Sequence, residues 1–294
     1  AGSYCWHSWS DNGRNSYTPT QEYVEMFPWS DGTPFNWDET EAEGRLDEMF
    51  LTGTFNDGEQ LLSNIVFTRD PRLYESVIVN GLPGNLGWSS VSVGGDPYEL
   101  WVGGSHAGSN SFNETMRYAT GYENMKYYLG SSDYLRQNTQ WVALRLSDLY
   151  LTYAEALLQA NNDHQGAVDQ IDIVRARVGL PGLVQSNPGK RLLTDKDALI
   201  EELLRERVCE LGMEDSRFFD LIRWKLYNVF EKQLHGLHVY KHKDTGEYKF
   251  VPYELTKYPR VWWTSGFEPR WCLSAFPSVE INKGYGLVQN PGWE

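Results

Sequence analysis

Apolar side chains recur at helical spacing over one continuous stretch of this chain, from Trp141 to about Tyr227, and there they predict four helices paired as two hairpins. Leu146, Leu149, Tyr150, Tyr153, Ala154 and Leu157 follow the i, i+3, i+4, i+7 rule, which predicts a helix over roughly 142–160 that buries this set. Asn161, Asn162 and Asp163 make the turn into a second helix, about Gln165 to Arg177, with Ala167, Ile171, Val174 and Val178 inward and a stop at Gly179 and Pro181. Thr194 and Asp197 have the form of a capping box and start a third helix whose stripe is Ile200, Leu203, Leu204, Val208 and Leu211. The fourth runs through Phe218, Phe219, Leu221, Ile222 and Trp224.

Outside that stretch the pattern changes. Residues 1–138 mix Gly, Asn, Ser and Trp, with helical periodicity only in short pieces, which predicts long loops. Residues 237–253 centre on Asp244-Thr245-Gly246 and predict a β-hairpin, followed by a tail containing Trp262, Trp263, Trp271 and Trp293. The fold class is therefore mainly α: helical hairpins like those of tetratricopeptide repeats, long irregular Trp-rich loops and a small β-hairpin. The predicted organisation is a loop-rich ligand-binding region over 1–139, a helical-hairpin core over 140–229, and the β-hairpin with an irregular tail over 230–294. Stacked repeats need neighbours, so an exposed apolar helix face is expected.

Charge narrows the function. The chain has 294 residues and a net charge of −14, which disfavours nucleic acid and anionic lipid surfaces. No run is long and apolar enough to span a bilayer, and Ala1–Trp9 carries neither the basic nor the apolar segment of a secretory signal. Cys5, Cys209 and Cys272 lie far apart and form no CxxC pair, so neither a disulfide framework nor a zinc site is indicated. Aromatic residues make up 14% of the chain although its mean hydropathy is only −0.53, an excess of large rings over general apolarity.

The charged residues of the helical stretch read as scaffold. Arg217, Asp220 and Arg223 stack along one helical face. With Arg207 and Glu210 they suit a partly buried ion-pair network fixing the hairpins, in which Asp148 and Glu155 partner Arg175 or Arg217. His235, His238 and His242 form no HExxH pattern, and Gly189-Lys190 lacks the glycine spacing of a phosphate loop. No metal, cofactor or catalytic group is assigned.

The aromatic loops carry the positive signal. A pyranose has an apolar face of C–H groups and a belt of hydroxyls, so its binder needs flat rings beside planar hydrogen-bonding groups. Two stretches supply both: one with Trp6, Trp9, Asn12 and Arg14, the other with Trp88, Asp96, Tyr98, Trp101, His106 and Asn110. These ten are the expected ligand-binding residues.

Four blocks resemble the SusD/RagB family of surface glycan-binding lipoproteins of Bacteroidetes polysaccharide-utilisation systems. They are LRLSDLYLTYAEAL (Leu144–Leu157), LLRERVCELGMEDSRFFDLIRWK (Leu203–Lys225), FPSVEINKGYGLVQNPGW (Phe276–Trp293), and an upstream set. That set comprises PTQEYVEMF with Asp31 and Gly32, Asp70 to Leu73, and Thr120 to Tyr122 with Lys126. Asp215 stands where the family pattern often has Gly. The resemblance implies a non-catalytic protein that captures oligosaccharide at the outer face of the outer membrane and passes it to a SusC-like TonB-dependent transporter. It also implies a lipid anchor and further helical repeats in a preceding segment, which would cover the apolar face. The competing readings are a glycoside hydrolase fragment using paired carboxylates, and a family member that takes peptide.

Overall fold

The computed structural model describes residues 18–54, 63–83, 97–104, 107, 120–126, 142–256 and 266–293. The predicted Trp6, Trp9, Asn12, Arg14, Trp88, Asp96, His106 and Asn110 lie outside them. The described chain is mostly helical, with three two-stranded antiparallel sheets. Short helices α1 (Gln21–Glu25), α2 (Trp37–Ala42) and α3 (Pro71–Ser76) alternate with the pairs β1 (Leu51–Thr54) with β2 (Ser63–Phe67) and β3 (Val77–Ile78) with β4 (Glu123–Asn124). Then come α4 (Leu146–Asn161), α5 (His164–Arg177), α6 (Leu183–Ser186), α7 (Lys196–Leu211) and α8 (Ser216–Arg223), the hairpin β5 (His235–Lys241) with β6 (Tyr248–Glu254), and a last short helix α9 (Ser278–Ile281).

Two apolar clusters form. One gathers Val24, Phe27, Met49, Leu73, Ile78, Tyr98 and Tyr122 with Leu237 and Val239 of β5. The other gathers Leu151, Ala154 and Leu158 of α4, Ala167, Ile171 and Val174 of α5, and Leu199, Leu203 and Leu211 of α7. Helix α7 separates them, giving Cys209 to the first and its leucines to the second. Gly121 adopts φ +78°, and a Cβ there would lie 1.8 Å from the Leu237 carbonyl oxygen, so only glycine lets this segment meet β5.

Helix positions follow the prediction, with local corrections. The inward face of α4 is Ser147, Leu151, Ala154 and Leu158, which shares only Ala154 with the set read from the sequence. Small Ser147 and Ala154 let α5 and α7 approach closely, leaving Leu146, Leu149 and Tyr153 at 63%, 49% and 54% exposure. The cap of α7 is Asp195, whose Oδ1 accepts from the Ala198 amide at 3.2 Å. Thr194 instead donates to the Arg191 carbonyl; an ionised carboxylate is the better partner for the positive end of a helix. Asp215 adopts φ +61° at the start of α8, the left-handed conformation in which glycine costs least.

The exposed stripe of α4, extended by Val142 and Leu144, has a measurable consequence. Replacing Leu149 and Tyr153 with Ser is expected to lower binding of a hydrophobic dye such as ANS while leaving the melting temperature within about 2 °C, since surface changes cost little; unchanged dye fluorescence would contradict this description of the stripe.

Candidate functional site

Helix α7 carries carboxylates into the interior, and each must find a cation. Arg72 of α3 is 6% exposed and bridges three of them: Asp70 at 2.6 Å, Glu206 at 2.6 Å and Glu210 at 3.1 Å. Glu206 also holds Arg175 of α5 at 3.1 Å. Glu210 meets Arg145 at 2.5 Å and Arg177 at 2.8 Å, and Glu214 meets Arg145 at 2.9 Å and Lys126 at 2.5 Å. A second chain runs from Asp148 through Arg207 (2.9 Å) to Asp220 (2.8 Å), then to Arg223 (2.8 Å), which also grips Glu155.

Asp148 and Glu155 thus pair with Arg207 and Arg223, not with Arg175 or Arg217. Arg217 makes no ion pair among the described residues. The two oxygens of Asp220, one turn along the same helix, are taken by Arg207 and Arg223. Burial would push the Glu210 carboxyl up, but the bond from Arg145 and the charges of Arg72 and Arg177 overcome it and hold it at about 2. An 820 Å³ cleft opens over this network, lined by Arg72, Lys126, Arg145, Glu210 and Glu214; these charges are already paired with one another.

Of the expected aromatic platforms, two are described. Tyr98 is 2% exposed and lies in the first apolar cluster, so its ring is packing, a correction to the sequence reading. Its main chain is the reason: its amide donates to Leu82 and its carbonyl accepts from Gly81, which draws the side chain inward. Trp101 is half-buried against the same cluster, with the Lys241 Nζ 5.3 Å from its ring centre.

The sequence reading missed a different aromatic groove. Asp31 and Gly32 turn the chain back so that the Trp29 amide donates to the Thr33 carbonyl at 2.8 Å, and Asp31 Oδ1 accepts from the Thr33 amide and hydroxyl at 2.9 and 2.6 Å. The turn leaves Trp29 and Phe35 side by side, ring centres 5.4 Å apart. Behind them the fully buried Arg69 guanidinium lies 3.8 Å from the Phe35 centroid and donates to the Val24, Phe27 and Met49 carbonyls; burial lowers it to about 10. In front, Arg45 sits 4.9 Å from the Trp29 ring centre. Between this wall and the Ser186–Lys190 turn lies a groove of about 670 Å³ with Asp31, Asn36, Glu39 and Asn187 among its lining.

The groove is tied to the charge network by Arg175, which is 1% exposed. Its Nε donates to the Pro181 carbonyl at 2.9 Å and its Nη2 to Ser186 Oγ at 3.0 Å. Gly32, at φ +84°, fits directly over that pair: a Cβ there would fall 2.3 Å from Ser186 Oγ and 2.9 Å from Arg175 Nη2. The legible signal was Trp-Ser-Asp-Gly-Thr-Pro-Phe, aromatics flanking a turn; nothing in the sequence marked Asn187 as its opposite wall.

Comparison with known proteins bears directly on this framework. The model of the SusD family matches residues 2–293. The chain belongs to the SusD family. A SusD-like protein of Bacteroides ovatus is 32% identical over 102 residues, 32% of this chain and 16% of that protein. The crystal structure of a SusD-like protein from Bacteroides fragilis superimposes with a TM-score of 0.64 at 25% identity, covering 94% of this chain and 46% of that one. The chain thus spans less than half the length of that SusD-like structure. The SusD-family blocks read from the sequence contain the network residues Asp70, Arg72, Lys126, Arg207, Glu210, Asp220 and Arg223.

Two outcomes follow. Glu210 contributes stability that is full above about 4.5 and lost as pH falls through about 2, worth roughly 3 kcal/mol at neutral pH. Glu210→Gln is therefore expected to lower the denaturation midpoint at pH 7 and to flatten the acid limb; an acid limb as steep as the parent's would refute the assignment. Gly32→Ala, which adds a clash to an unfavourable φ, is expected to cost about 2 kcal/mol or more and to lower the melting temperature by about 5 °C, read by calorimetry.

Proposed function

We propose that this chain is part of a cell-surface glycan-binding protein that captures oligosaccharide and delivers it to a SusC-like TonB-dependent transporter in the outer membrane. The observation that carries the reading is the match of the SusD family along residues 2–293. The described surface agrees in kind. Its groove brings the Trp29 ring together with Asn and Asp side chains, the pairing of flat rings with planar polar groups that a sugar needs. Binding then requires neither nucleophile nor proton transfer, and ring contact supplies affinity while hydroxyl contacts supply selectivity. No helix among the described residues is long and apolar enough to cross a membrane, and attachment at the outer face runs through a lipid anchor.

Trp101 and Trp88 are the predicted platforms of the loop region, Trp101 with one face under Lys241. Titration with neutral hexasaccharides, followed by calorimetry, is expected to give saturable binding with no release of new reducing ends. Trp88→Ala is expected to weaken binding about tenfold, the order of magnitude of one lost ring contact. Reducing-end release would establish a hydrolase instead, and unchanged affinity of the Ala variant for a confirmed ligand would remove Trp88 from the site.

A further inference from the structure

The groove between Trp29 and Asn187 holds an acceptor with nothing to accept. Asn187 is 3% exposed. Its amide nitrogen donates to the Leu183 carbonyl at 2.9 Å, which fixes the orientation of the side chain, and its backbone nitrogen donates to Val184. The remaining oxygen, Oδ1, is buried and meets no donor among the described residues. A buried acceptor left open is costly, and here it belongs to a residue lining the groove, opposite a ring wall.

The charges around it are unequal. Both rim cations are occupied: Arg45 holds Glu43 and Glu48, and Lys190 holds Glu202. Asp31 and Glu39 also line the groove, are exposed, and have no cation within ion-pair distance among the described residues. The field a ligand meets is negative, on a chain whose net charge is −14.

We propose that this groove is a subsite for an uncharged pyranose unit: a hydroxyl donates to Asn187 Oδ1, the C–H face lies along the partly exposed Trp29 ring, and Asp31 and Glu39 turn away uronate or sulfated units. This deepens, and rests on, the glycan-binding reading above. Oδ1 is buried, so the hydroxyl reaches it as the exposed Pro188–Lys190 turn moves outward. The donor must come from the ligand, which excludes a bare carboxylate or sulfate at that point. Arg45 lies over Trp29 and swings aside as the sugar ring takes its place, since its pairing with exposed carboxylates is weak. A hydroxylated ring fits a flat indole beside a buried acceptor better than an extended peptide, which prefers strand edges and side-chain pockets.

The test is calorimetric titration of the chain with maltohexaose, xylohexaose and mannohexaose, with hexagalacturonate, and with a Gly-Ser hexapeptide. At least one neutral sugar is expected to bind about tenfold or more tightly than hexagalacturonate, and Asn187→Ala to weaken it about tenfold. Gly189→Gln provides a second route that does not touch the Asn187 hydrogen bonds. A Cβ at Gly189 meets nothing within 4 Å and its φ is not positive, so the fold is retained and the longer side chain obstructs the groove, giving a similar loss. Asp31→Asn with Glu39→Gln is expected to narrow the preference over hexagalacturonate about fivefold and leave neutral affinity alone. Neutral binding that survives both Asn187→Ala and Gly189→Gln overturns the subsite while the glycan reading stands. Tighter binding of hexagalacturonate, or peptide binding abolished by the same variants, overturns it as well. Absence of binding to every sugar overturns both readings together.

Discussion

The structure depends on how one helix, α7, carries ionised carboxylates through the middle of the protein. Glu202, Glu206 and Glu210 are each at most 3% exposed, and an unpaired carboxylate there would cost several kcal/mol. For Glu206 and Glu210 the cations come from outside α7: Arg72 from α3, Arg175 and Arg177 from α5, and Arg145 from just before α4. Each pair therefore joins α7 to an element distant in sequence. Such bridges add less stability than apolar packing of the same volume would, but a misdocked element leaves a charge buried alone, so they penalise every alternative arrangement. We read the network as the device that fixes the loop-rich half onto the helical hairpins.

That device also shapes the groove. Arg175 uses one nitrogen on Glu206 and its others on Pro181 and Ser186, so the charge network ends where the Gly32 turn lands. The turn places Trp29 and Phe35, and Arg69 behind them is held by carbonyls. The groove wall thus rests on side chains whose own geometry is already fixed, the condition for binding without a large ordering cost. Asn187 on the opposite wall is fixed in the same way, through its bond to Leu183.

Helix placement was legible because apolar spacing in α5 and α7 coincides with their buried faces, and the β5–β6 hairpin announced itself through Asp244-Thr245-Gly246. The face of α4 was not legible. Hydrophobicity pointed to Leu146, Leu149 and Tyr153 beside Ala154, whereas close approach of the neighbouring helices turns Ser147 inward with Ala154, and only the partner helix makes small size an advantage. The network was half legible: spacing showed that Arg207, Glu210, Asp220 and Arg223 share faces, but their partners lie up to 138 residues away in the chain, beyond any local pattern. For aromatic residues, composition gave the type and not the surroundings of each copy. Trp29 and Tyr98 look alike as text, yet one borders a groove and the other fills a core.

The excess of aromatic rings in a chain of low hydropathy has a physical account in the same features. Many of the described rings carry a cation: Arg45 and Arg69 on Trp29, Arg69 on Phe35, Lys241 on Trp101 and Tyr248, Arg223 on Trp224, Arg270 on Trp293. A ring of this kind is half packing and half electrostatic seat, worth about 0.5–1 kcal/mol where exposed, so it needs no fully apolar surroundings to be ordered. The consequence for binding is direct. A sugar approaching Trp29 or Trp101 competes with a resident cation for the ring face. Only a face whose cation is exposed and free to move can serve as a platform. Arg45 meets that condition, being exposed and paired with exposed carboxylates, whereas Arg69 is locked behind the wall by three carbonyls. Trp29 therefore meets two cations of different kinds: one that cannot leave and one that can.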